Sequence, residues 1–157
     1  MKLFNLMKRA GLVAIYVLLT SVVFANDLTP YAYVELTKAS TQQKAQDLSQ
    51  LIGAISIFTD VPEAWISEEA QMTEIFDTRF SELYELFGTT AAQYLLYYSD
   101  NQVEIESYLD IHQDDRELIT QYSAEVADLL IQYEQLKINL LQLTEPSDDD
   151  PLPIDSQ

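Results

Sequence analysis

The sequence predicts an all-α protein, an up-down antiparallel bundle of about four helices. Three observations carry that prediction. Glycine is nearly absent from the body, with only Gly53 and Gly88 beyond residue 25. Proline occurs at positions 30, 62, 146, 151 and 153, so the long stretch between 62 and 146 has none. An antiparallel β fold of this size needs several tight turns, and the residues that make them are missing. The third observation is an apolar seam. Ile119, Tyr122, Val126, Leu129, Tyr133, Leu136, Leu140 and Leu143 are spaced 3, 4, 3, 4, 3, 4 and 3, the spacing of one helical face.

Each element has its own local signal. Lys2, Lys8 and Arg9 precede an apolar or small run over residues 10–25 that ends at Ala25. This is the order of a secretory signal peptide over residues 1–25, with cleavage after Ala25. The run is 16 residues long, short of the roughly 17–25 of a spanning helix, which speaks against an uncleaved anchor. The absence of cysteine removes a lipid anchor and disulfides, so packing alone holds the fold. Residues 26–144 then form a single helical domain.

The first helix is expected from Thr29-Pro30 to about residue 58, with proline in the first turn where its missing N–H matters least. Its middle, residues 37–46, is polar and weakly patterned. Asp60 with Glu63 reads as the cap of a short turn carrying Trp65. A second helix is expected over 68–87, capped by Ser67, favoured by Glu68 and Glu69 at its positive end, and closed by Gly88. Its buried face is Met72, Ile75, Phe76, Phe80, Leu83 and Phe87. Thr90 with Gln93 opens a third segment over 91–98. Ser99-Asp100-Asn101 breaks it, and Val103, Ile105, Tyr108 and Leu109 resume a helix to about 112. Asp114 with Glu117 reads as the capping box of the last helix, over 115–144, with Pro146 beyond it. From 145 to 157 three prolines and five acids predict a disordered acidic tail.

Charge bounds function. All 26 acidic residues lie after residue 25, against five of the eight basic ones. Residues 26–157 therefore carry a net charge of −21, which repels phosphate and excludes nucleic acid as a partner. A basic protein is the expected partner, since opposite fields speed encounter.

Catalytic and metal signals do not assemble. His112 is the sole histidine; a metal would use it with Asp110, Asp114 or Asp115, but Leu109 stands where a di-metal bundle needs a glutamate. A haem would need a second ligand such as Met72, which no spacing supports. The stretch from Asp100 to Glu104 lacks the glycine and the distal glutamate of a calcium loop. Pairs such as Glu82/Glu85 and Glu104/Glu106 read as solvated faces rather than acid–base couples. No phosphate loop or nucleophile motif occurs. The sequence thus assigns no catalytic, cofactor or metal residue and predicts a non-enzymatic protein.

The most suggestive body feature is Tyr94, Tyr97 and Tyr98, with Leu95 and Leu96 between them and Tyr108 nearby. These four tyrosines are the candidate partner-binding residues, because tyrosine beside acids suits a protein contact. The other reading is a helix with two buried faces whose hydroxyls reach water at its edge. The expected function is an exported binding protein, periplasmic in a Gram-negative host and otherwise secreted, with no membrane span after signal cleavage. It would act as an inhibitor or immunity protein that captures a basic toxin or cell-wall hydrolase. The alternative is a structural or chaperone-like component of an envelope assembly, with a ligand- or metal-binding bundle as a third reading. A homodimer through the seam of the last helix is also compatible with its spacing.

Overall fold

The computed structural model describes residues 28–142, and no strand occurs among them. The elements are α1 (Pro30–Ile55), a 3-10 turn (Ser56–Phe58), α2 (Pro62–Leu86), α3 (Ala91–Asp100), α4 (Gln102–Ile111) and α5 (Gln113–Gln142). The fold is all-helical as expected, with five helices rather than four. The signal segment, its cleavage point and the acidic tail lie outside the described residues.

Local chemistry explains the helix ends. Thr29 holds extended backbone and its Oγ1 accepts from the Ala32 N–H at 3.2 Å, with Pro30 in the first turn. The polar middle of α1 stays helical because hydroxyls turn back onto its own carbonyls. Thr37 Oγ1 donates to the Tyr33 carbonyl at 2.8 Å, and Thr41 Oγ1 to that of Thr37 at 2.7 Å. α1 ends at Ile55, and the expected extension to 58 is the tighter 3-10 turn.

The expected start of the second helix needs correction. α2 begins at Pro62, with Val61 as an N-cap that offers no side-chain bond, so Ser67 lies inside the helix. Trp65 is the reason. It is fully buried on the first turn, tilted against Phe58 at 5.4 Å and Tyr133 at 6.3 Å. Burying so large a side chain outweighs a better cap one turn later.

At the other end of α2, Gly88 adopts φ 66°. The Gly88 N–H bonds the Glu85 carbonyl at 2.9 Å and the Thr89 N–H bonds that of Tyr84 at 3.0 Å, the paired bonds of a Schellman exit. Thr90 then opens α3 with both bonds of a capping box in place. Asn101 separates α3 from α4, its backbone N–H and side-chain Nδ2 both donating to the Tyr97 carbonyl. His112 separates α4 from α5 and its carbonyl accepts from Asp115 and Arg116. Asp114 therefore sits in the first turn of α5 instead of capping it, which corrects the expected capping box.

The packing also departs from an up-down four-helix bundle. α1 packs most extensively against α5, and also meets α2, α3 and α4. Lys38 bonds Asp115 near the starts of α1 and α5, while Leu48, Leu51 and Ile55 cluster with Tyr133 and Leu140 near their ends. α1 and α5 thus run in the same direction, and α2 runs against both, with Arg79 paired to Asp47 and Leu83 clustered with Leu36. α3 and α4 have ten residues each, about 15 Å of helix against about 45 Å for α5. So short a pair cannot span the bundle. It folds over one end and returns the chain to the start of α1.

One cluster, Leu48, Leu51, Ile55, Trp65, Met72, Phe76, Tyr133 and Leu140, fills the end of the molecule at the α1–α2 turn. Tyr33, Val34, Ile105 and Leu109 fill the end under α4. Most of the α5 seam faces α1 without full burial, Tyr133 and Leu140 being its buried members.

Candidate functional site

Five bases lie in the described residues, and four are held in ion pairs. Lys38 donates to Glu35 and Asp115 at 2.6 Å each. Burial pulls on its ammonium, but the two carboxylates prevail and raise its pKa. Arg79 binds the buried Asp47 at 2.8 Å, Arg116 binds Glu106 and Asp110, and Lys137 binds Glu69 at 2.6 Å. Lys44 alone among these bases makes no ion pair. On the other side, acids such as Glu63, Glu74, Asp77, Glu82, Glu85, Asp100, Glu104, Glu117, Glu125 and Asp128 are exposed and unpaired. The described surface is a negative field in which every base but Lys44 is already paired.

Three of the four candidate tyrosines come together around a residue that sequence reasoning did not single out. Tyr33 of α1 stacks on Tyr94 with ring centroids 4.6 Å apart and an 11° interplanar angle. Tyr97 and Tyr98 lie against the same ring at 5.7 and 5.9 Å. Thr37 gives its proton to the Tyr33 carbonyl, so the 2.7 Å contact to Tyr94 is a bond donated by the tyrosine hydroxyl. Burial raises the Tyr94 pKa well above its usual value. Tyr94 and Tyr97 are half-buried and Tyr98 is 40% exposed.

Tyr108 stands apart from this stack. Its hydroxyl donates to Asp115 at 3.2 Å and its ring meets Tyr31 at 6.2 Å. Burial, followed by the Asp115 charge, pushes its pKa up to about 12. His112 stacks on Tyr108 at 4.2 Å. Two of the three acids that the sequence sets beside this histidine turn to other partners, Asp110 to Arg116 and Asp115 to Lys38, while Asp114 is exposed on the first turn of α5 without an ion pair. Met72 lies in the core at the far end.

Tyr94 and Tyr97 turn inward, Tyr98 stays partly at the surface, and leucines occupy the outer face. Leu95 is 68% exposed, Leu96 62% and, at the start of α4, Val103 74%. None of the ten residues of α3 is fully buried. Asp100 and Glu104, neither in an ion pair, stand on the same two helices, and burial followed by the Glu104 charge raises the Tyr97 pKa. Spacing identified the aromatic cluster. It could not say which side faces solvent, because Tyr33 lies far away in sequence.

A second feature opens between α1, α2 and α5. α2 and α5 meet where Glu69 accepts from Tyr133 at 2.5 Å and from Lys137 at 2.6 Å. Further along, a cavity of about 590 Å³ is lined by Leu48, Leu51, Phe76, Phe80 and Val126, with Ser40, Thr41, Lys44, Asp47, Thr73, Asp77, Tyr84 and Ser123. Asp47 is 4% exposed; Gln43 and Arg79 donate to its Oδ1, while its Oδ2 has no hydrogen-bond partner. Burial raises its pKa, with the Gln43 bond and the Arg79 charge working against that rise.

Among the described residues, no group of three or more histidines or acids is arranged to hold a metal ion. No described helix is long and apolar enough to cross a membrane. No family model matches the chain, and neither the curated proteins nor the solved structures hold a significant match to it.

Proposed function

We propose that this chain is an exported, non-enzymatic binding protein that captures a basic protein partner, as an inhibitor or immunity protein does. The observation that carries the reading is the charge distribution. Four of five described bases are neutralised internally, and most of the exposed acids in the described residues make no ion pair. Such a surface accelerates encounter with a cationic protein and slows encounter with anionic ones. Affinity requires apolar burial as well, and the outer face of α3 supplies it. Leu95, Leu96 and Tyr98, with Val103 beside them, offer apolar contact near Asp100 and Glu104, the mixture expected at the centre of an interface. The tyrosine stack beneath holds α3 in place, so Tyr94 and Tyr97 act as supports and Tyr98 as a contact. Export follows from the basic, apolar leader.

The test is a pull-down from periplasmic or culture extract with immobilised residues 26–157. Basic proteins should be retained at low ionic strength and released at about 0.5 M salt, where the Debye length falls to a few Å. The double substitution Leu95→Asp, Leu96→Asp should abolish retention without unfolding the domain, because both side chains are exposed. Retention that ignores salt, or survives the double substitution, would overturn the reading.

A further inference from the structure

The 590 Å³ cavity between α1, α2 and α5 lies within the range of small-molecule sites, roughly 300–1,000 Å³. It is apolar along Leu48, Phe76, Phe80 and Val126. Its polar groups are distinctive. Lys44, the described base without an ion pair, lines it, and so does Asp77, an exposed acid without one. They do not reach each other, although a lysine on so acidic a protein has many carboxylates to choose from.

Three hydroxyls of the lining are committed in one direction. Ser40 and Thr41 donate to the Thr37 carbonyl, and Thr73 donates to that of Glu69. Their oxygens are therefore left as acceptors. The cavity thus presents the unpaired Lys44, the unpaired Asp77 at its surface, the buried Asp47 already held by Arg79, hydroxyl acceptors and an apolar wall.

We propose that this cavity binds a small zwitterion with an apolar body, an amino acid or dipeptide, its carboxylate on Lys44 and its ammonium on Asp77. The side chain of such a ligand lies against Phe76, Phe80 and Val126, and the remaining ammonium protons meet the hydroxyl oxygens. Each charge of the ligand then finds an opposite charge that nothing else in the described chain uses. The site is separate from the α3 face and does not depend on the capture of a protein.

Calorimetric titration of the full chain with L-phenylalanine and with the dipeptide leucyl-phenylalanine tests the proposal, with phenethylamine and 3-phenylpropionate as single-charge probes. At least one zwitterion should bind saturably, and each single-charge probe roughly fivefold or more weakly, as loss of one ion pair implies. Lys44→Met should weaken the zwitterion and phenylpropionate while sparing phenethylamine, and Asp77→Asn should weaken the zwitterion and phenethylamine while sparing phenylpropionate. Both residues are exposed, so circular dichroism should show an unchanged fold in either variant. Absence of saturable binding by both zwitterions, equal or tighter binding of a single-charge probe, or indifference to both substitutions would overturn the proposal.

Discussion

Asp47 shows how one buried carboxylate links two helices at an electrostatic cost. Its Oδ1 receives Gln43 from within α1 and Arg79 from α2, while Oδ2 is buried without a partner. Desolvation outweighs those bonds and raises its pKa above 3.8. The sign follows from linkage. The native state holds this proton more tightly than the unfolded chain, so the contribution is fully present below the unfolded value and is lost as pH rises through the folded one. Thermal unfolding followed from pH 3.8 upward should therefore fall more steeply for the native chain than for Asp47→Asn, and parallel curves would contradict this account. Trp65 is the other decisive residue. Wholly buried between Phe58 and Tyr133, it should cost about 3–5 kcal/mol when replaced by alanine, read from urea denaturation.

At the scale of elements, the junction from α2 to α3 was legible residue by residue. Gly88, Thr90 and Gln93 signal an exit and a capping box, and the structure places both. Such signals work because each bond joins atoms within a few residues of one another. Gly88→Ala forces an alanine to φ 66° and should destabilise the fold by about 1–2 kcal/mol, measured by the same denaturation. No shift in midpoint would contradict a left-handed exit. The start of α2 was not legible, because Ser67-Glu68-Glu69 imitates a helix start and the burial of Trp65 depends on α5. The candidate tyrosines show the same division. The shared face of Tyr94, Tyr97 and Tyr98 on α3 follows from helical spacing, whereas their orientation depends on Tyr33, whose ring lies 4.6 Å from Tyr94 across the bundle.

For the whole molecule, charge and topology meet. The body after residue 25 carries 26 acids and five bases, and the ion pairs use most of those bases without neutralising the surface. Self-repulsion should therefore make the fold more stable in about 0.2 M salt than at about 0.01 M. A melting temperature that is flat or falling over that range would contradict this. Helical class, helix number to within one, and the negative field follow from composition and short-range pattern, because turn residues, periodicity and formal charge are properties of the chain alone. Only the tertiary structure decided that α5 runs parallel to α1, that Tyr94 and Tyr97 face inward and Leu95 and Leu96 outward, and that Lys44 and Asp77 share a cavity. Each of these depends on which distant segments compete for the same buried surface, and local pattern carries no record of that competition.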